Sequence, residues 1–251
     1  MKTLKLILPH LVLILFSLYM LLPPLWVLRT SFVPAVHANE ANCDIQFGSI
    51  RRPTHTNTPA DWAKFEICAH KWIDISDRGY GVALLNDCKY GHRVQGNVLD
   101  LNLLRSPGHP DPVADRAEHQ FTYALYPHAG DHVAGGVLRA GYELNVPLRV
   151  LADRPGGGKL APSFSWFRID APEIVIETVK QAEDGEGLIV RLYESAGAST
   201  RAELACGFAL AEAAEANLIE EEPKPLDVSG GGLRLEFRPF EIRTLRLKPR
   251  R

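Results

Sequence analysis

The sequence predicts an all-β protein of antiparallel β-sandwich domains, with one short helix and a hydrophobic helix at the N-terminus. Three observations predict it. Apolar residues after position 40 recur mostly with period two, as expected of strands with one buried face. Turn-forming clusters punctuate the runs, as in DRGYG, SPGHPDP, EDGEG and SGGG. Composition is that of an ordinary globular chain, with 251 residues, 46% hydrophobic and 23% charged, so wholesale disorder and low-complexity readings are excluded.

The elements follow in order. Residues 6–28 read LILPHLVLILFSLYMLLPPLWVL, with Lys2 and Lys5 before and Arg29 after. Twenty-three uncharged residues are long enough to span a bilayer. Val36 and Ala38 also supply small residues at the −3 and −1 positions of a signal cleavage site, and Pro23 and Pro24 break a helix just before it. Residues 1–38 are therefore read as a signal peptide or a membrane anchor, against a buried helix or a misassigned start. The leader implies export or membrane anchoring; a misassigned start implies the cytoplasm.

In the body, YGVALLN (80–86) is an apolar strand, and FTYALY (121–126) alternates Phe121, Tyr123 and Leu125 against Thr122, Ala124 and Tyr126. EIVIETV (173–179) and EIRTLRL (241–247) are β-rich in the same way. GLIVRLY (187–193) puts Leu188, Val190 and Leu192 together, and LRLEF (233–237) puts Leu233, Leu235 and Phe237 on one face. A helix is expected at 131–144, where Val133, Val137, Tyr142 and Leu144 fall near one face despite three glycines. DRPGGG (153–158) is the best boundary, dividing the body into 39–155 and 156–251.

The leader holds three basic residues and no acid, leaving 25 basic against 30 acidic residues in the body. That balance argues against nucleic acid as a partner. Cys43, Cys68, Cys88 and Cys206 lie far apart with no CxxC, which excludes a zinc ribbon. His109 with Asp111, and His128 with Asp131 and His132, have spacings that can share a cation; both read better as polar loops. No GxSxG elbow and no phosphate-binding glycine loop is present. Cys68 and His70 fall on one face of the expected strand EICAH, where the plain reading is a small buried Cys beside a hydrogen-bonded His. Asp87 and Lys89 differ, because they follow a strongly apolar strand and precede Tyr90 and Gly91. Sandwiches present ligand-contacting loops at such strand ends, although an ordinary hairpin turn has the same composition.

Several longer stretches carry a resemblance. They are DIQFGSIRRPTHTNT (44–58), FEICAHKW (65–72), YGVALLNDCKYG (80–91), GNVLDLNLLRSP (96–107), DPVAD (111–115), FTYALYPHAGD (121–131) and PFEIRTLRL (239–247). Over residues 41–249 the chain resembles the C-terminal region of glycoside hydrolase family 38 alpha-mannosidases, of the bacterial and cytosolic kind. The resemblance implies a partial large sandwich over 39–155 and a small C-terminal sandwich over 156–251. It implies a retaining enzyme acting on terminal alpha-mannosides and oligosaccharides, with an aspartate nucleophile and a zinc ion. Those groups come from an N-terminal domain to which no residue here matches. No catalytic residue, no metal ligand and no cofactor is therefore assigned, and the chain alone is expected to be inactive. A separately encoded catalytic domain is the partner this implies. The loop matching NDCKYG points toward the sugar in the family, making Asp87, Lys89 and Tyr90 substrate-contact candidates, with His55 and His70 secondary. The alternative is an exported or tethered non-catalytic carbohydrate-binding or structural sandwich.

Overall fold

Strand after strand in the computed structural model pairs antiparallel with its neighbours. The structure describes residues 39–152, 158, 160–228 and 232–250. The leader, and most of the 153–158 boundary, lie outside the described residues.

In the front part, β1 (Glu40–Ile45), β2 (Gly48–Pro53), β4 (Trp72–Ser76), β5 (Tyr80–Asn86) and β8 (Tyr123–Ala129) form one sheet in the order β2-β1-β4-β5-β8. A second sheet of β3 (Glu66–Cys68), β6 (Gly91–Gln95) and β7 (Val98–Asn102) has β6 at its centre. Among the described residues two helices are present, where one was expected in the body. The first, α1 (Pro59–Trp62), starts with Pro59 and is held by a reciprocal capping box between Thr58 and Asp61. The second, α2 (Val137–Asn145), corrects the helix expected at 131–144. Asp131 Oδ1 accepts from Val133 N and Ala134 N, making a tight turn. Gly136 then takes φ +66, which a helix cannot continue through, so the helix starts only at Val137.

Trp72, Ala83 and Leu85 of the large sheet pack with Val137 of α2. Contact is close at Gly141, where an added Cβ would lie 2.9 Å from Trp72 Cδ1. The same sheet face carries a buried polar pair: His128 Nε2 meets Asp74 Oδ1 at 2.8 Å, and Ser76 Oγ donates to Asp74 Oδ2 at 2.5 Å. In β8 the bulkier apolar face points outward, with Leu125 71% exposed, while Ala124 and Tyr126 pack inward.

The back part places β10 (Ile174–Gln181), β11 (Leu188–Glu194), β16 (Ile242–Pro249), β13 (Leu210–Ala216) and β14 (Lys224–Pro225) in one sheet. A three-stranded sheet holds β15 (Gly232–Phe237), β12 (Thr200–Cys206) and β9 (Phe167–Ile169). Val190, Leu192, Leu204, Leu233, Leu235, Phe237, Leu245 and Leu247 from both sheets share one core. Leu233, Leu235 and Phe237 thus lie on the inner face as expected, with Arg234 and Glu236 outside. On β11, Ile189 and Tyr193 on the opposite face are buried too. The front part covers Tyr193: Phe47 meets it edge-on at 5.5 Å, and the Tyr142 and Tyr193 hydroxyls lie 3.1 Å apart.

At the end of β11, Glu194 is fully buried. Its carboxylate accepts from the backbone N–H groups of Ala196, Gly197 and Phe240.

Candidate functional site

The 86–91 loop begins with a polar residue that has nowhere to go but inward. Asn86 ends the apolar strand β5 and is fully buried. Such a side chain must find partners, and Asn86 finds them on both sides. Its Nδ2 donates to His70 O at 2.8 Å, and its Oδ1 accepts from Lys89 N at 2.7 Å. Its backbone N–H donates to Lys71 O, and its carbonyl accepts from Asn145 Nδ2 at the end of α2. Asn86 therefore ties three segments together beneath the loop.

The loop residues sit on that anchor. Asp87 exchanges two bonds with Thr122: Asp87 N donates to Thr122 O, and Thr122 N donates to Asp87 Oδ1 at 2.9 Å. The Thr122 amide, followed by the Cys88 side chain, holds the Asp87 carboxyl below the usual carboxylate range. The same contact with Asp87 raises the Cys88 thiol. Lys89 extends over the Phe121 ring, its ammonium 5.0 Å from the centroid. Tyr90, 49% exposed, lies against His70 with ring centroids 5.3 Å apart. The surface thus offers a carboxylate, an ammonium, a phenol and an imidazole within one loop cluster.

Beneath it lies a second polar link. Asp44 is buried, its Oδ2 accepting from Lys71 N at 2.9 Å and Lys71 Nζ at 3.3 Å. Burial raises the Asp44 pKa, and Lys71 offsets only part of that rise. Lys71 Nζ also lies over the Tyr142 ring at 4.6 Å. Asp44 O accepts from His70 N, so this link fixes the backbone that carries His70.

Asp87, Lys89, Tyr90 and His70 are thus brought together, and His55 is not. His55 lines a separate polar groove of about 770 Å³ with Arg51, Asp61, Asp131 and His132. Its Nδ1 is 3.6 Å from Asp61 Oδ2, an ion-pair distance too long for a hydrogen bond. The reading of Cys68 also needs correction. β3 ends at Cys68, so His70 is beyond the strand, and Cys68 is exposed rather than buried. Asn86, Asn145 and the Asp44–Lys71 pair escaped the sequence reading. The available signal was an Asn closing an otherwise apolar strand.

Among the described residues no three His, Cys, Asp or Glu side chains converge as metal ligands. Among the described residues, too, no helix is long and apolar enough to cross a membrane.

Two antiparallel β-sheet parts with a loop cluster at one strand end are shared by many classes of β-protein; comparison with known proteins makes the class specific. Residues 25–113 match the model of the glycosyl hydrolases family 38 C-terminal domain. Residues 173–245 match that of the family 38 C-terminal beta sandwich domain. The chain is 44% identical over 229 residues to human alpha-mannosidase 2C1, covering 88% of this chain and 21% of that protein. It is 37% identical over 225 residues to alpha-mannosidase G of Dictyostelium discoideum, with the same coverage of each. The crystal structure of an alpha-mannosidase from Enterococcus faecalis V583 superposes with TM-score 0.70 at 20% identity, over 85% of this chain and 25% of that one.

The chain belongs to the C-terminal part of glycosyl hydrolase family 38. It spans about a fifth of the length of the curated relatives it matches. The first match begins at residue 25, upstream of residue 41 and inside the apolar run. Cleavage after Ala38 would remove residues 25–38 from the matched region.

Proposed function

We propose that this chain acts as the C-terminal sandwich part of an alpha-mannosidase, placing the Asp87–Tyr90 loop against a terminal alpha-mannoside. The observation that carries this reading is the buried Asn86 anchor. A turn with no task needs no four-way buried support, whereas a ligand-contacting loop gains from being held before the ligand arrives. Asp87 can accept from sugar hydroxyls, Lys89 can donate to them, and Tyr90 offers a ring face and a hydroxyl. The human and Dictyostelium relatives are named alpha-mannosidases, which supports the substrate class. Hydrolysis needs a nucleophile, an acid and, in this family, zinc, and no residue here matches the family's positions for them. The catalytic groups then come from another domain.

Two measurements test the reading. The purified chain should not hydrolyse an aryl alpha-mannoside, with or without added zinc; zinc-dependent turnover that survives removal of host enzyme would overturn this. With a catalytic part supplied in trans, or with this segment grafted into an intact relative, Lys89→Ala should lower kcat/KM about tenfold or more. A charged hydrogen bond to a hydroxyl contributes about 1.5–3 kcal/mol. Asp87→Ala should do the same, with a small loss of melting temperature because Thr122 N loses its acceptor. Unchanged activity in both variants would remove the loop from the site.

A further inference from the structure

The large front sheet is covered by α2 on only part of one face. Asn42 pairs with Asp74, and Asp74 with Ala83, so Asn42 shares a face with residues that α2 covers. Packing against α2 involves β4, β5 and β8. On β1 and β2 the same face is polar: Asn42 lies directly opposite Arg51, and Glu40 lies two residues along β1. These residues line the groove of about 770 Å³ that also holds His55.

Their polar atoms are open to a ligand. Arg51 is 74% and Glu40 57% exposed, and the 3.7 Å between their charged groups is too long for a hydrogen bond, so both remain available. The Asn42 amide has no partner among the described residues, and neither of its polar atoms is buried. Side chains directly opposite in an antiparallel pair start from Cβ atoms about 5 Å apart. An amide that both donates and accepts therefore stands beside a fork of donors and a carboxylate. Adjacent hydroxyls on one ring, each a donor and an acceptor, match such a set. Three Lys or Arg and four Asp or Glu side chains line the groove, so it has little net attraction for an ion and suits a neutral ligand.

An apolar surface completes the match. Asp61 and Lys64, both on the groove wall, bracket Trp62 in the chain. Trp62 is 63% exposed, and its ring is stacked on Phe65 with centroids 5.3 Å apart. A pyranose carries hydroxyls around its rim and C–H groups on its face, and an exposed indole held in place receives such a face.

We propose that this groove binds a neutral oligosaccharide, one ring hydrogen-bonded by Asn42, Arg51 and Glu40 and a neighbouring ring laid on Trp62. The site does not depend on the mannoside reading and shares no residue with the 86–91 loop. Asp77 and Arg78 on its rim stand at the Tyr80 end of β5, about 20 Å along the strand from Asn86.

Mannotriose is the probe. The full chain, labelled with ¹⁵N, is titrated with it while backbone amide and indole resonances are followed, so each place on the surface reports its own binding. The Asn42 and Arg51 amides and the Trp62 indole, assigned by its loss in Trp62→Ala, should shift saturably with one Kd. Arg51→Ala and Trp62→Ala, both at exposed positions, should each weaken that binding about fivefold or more, the value of one net hydrogen bond, without altering the circular dichroism spectrum. Lys89→Ala should leave it unchanged. Shifts confined to residues 86–91 would support the mannoside reading and overturn this one. The absence of saturable shifts in the groove overturns it, as does unchanged affinity in Arg51→Ala or in Trp62→Ala. Sodium sulfate moving the same resonances with equal affinity would make the groove an ion site and overturn it too.

Discussion

The residues of the candidate site were unevenly legible. Asp87, Lys89 and Tyr90 stood out because charge and aromaticity follow an apolar strand, and structure places them in one cluster with His70. Asn86 was hidden by the same pattern: one polar letter at the end of YGVALLN reads as the strand's exit, whereas it is the most buried part of the loop. His92 shows a different effect of burial. It lies on β6, the strand that leaves the loop, and is 3% exposed. The Lys89 and Asp100 backbone lies close enough to favour its protonated form, but neither ring nitrogen completes a hydrogen bond, so desolvation dominates. Its pKa is pushed down from 6.5 to about 4. Between those values the unfolded chain binds a proton that the native chain does not. Stability is therefore full above about pH 6.5 and falls as the pH drops toward 4. A gap of this size amounts to on the order of 3 kcal/mol. Denaturant midpoints at pH 7.5 and pH 4.5 check this: His92→Leu should flatten the acid-side loss, and an unchanged loss would assign it to other groups.

Secondary-structure elements were legible where one face is buried and obscure where tertiary contacts decide. LRLEF and GLIVRLY set their inner faces by alternation alone. The same alternation misleads for β8, where Leu125 lies outward while Ala124 and Tyr126 pack toward Trp72 and α2. Periodicity also overran the start of α2, since it weighs apolar spacing and not the left-handed backbone of Gly136. Gly141, which counted against the helix, is what lets it pack. Alanine is the better helix former by about 1 kcal/mol. At this position its Cβ would press on the buried Trp72 ring and on Lys71 Cβ. Overpacking of this kind costs about 1–3 kcal/mol. Gly141→Ala should therefore lower the melting temperature, in opposition to its helix propensity; a rise would mean that α2 moves away from the sheet without cost.

At the scale of the whole molecule, the front and back parts are joined by few but buried contacts. Tyr193 is central, 2% exposed and touching both Phe47 and Tyr142. The Phe240 ring adds to the seam by lying against Gly48, with an added Cβ there only 3.1 Å from Phe240 Cδ1. These contacts bury large aromatic surface, so opening one part exposes apolar area on the other. Calorimetry of the wild-type chain should show one endotherm. Tyr193→Ala removes the shared ring, at a cost of about 3–5 kcal/mol, and should split the transition in two. A single endotherm at lower temperature would mean that the remaining seam suffices. None of this was legible in GLIVRLY, where Ile189 and Tyr193 look like a second apolar face without a visible partner.

The Asn86 anchor also bears on how the chain ages. An asparagine deamidates when the backbone nitrogen of the next residue attacks its side-chain carbonyl and closes a five-membered imide. At Asn86 the attacking nitrogen and the leaving amide are both engaged elsewhere: Asp87 N–H is held by Thr122 O at 3.1 Å, and Asn86 Nδ2 donates to His70 O at 2.8 Å. Ring closure would require both bonds to break and a buried side chain to turn. Its product, a carboxylate, would lose the amide donor to His70 O and set a second negative charge beside Asp87. The bonds that shape the loop therefore also shield its anchor from the slow chemistry that would dismantle it.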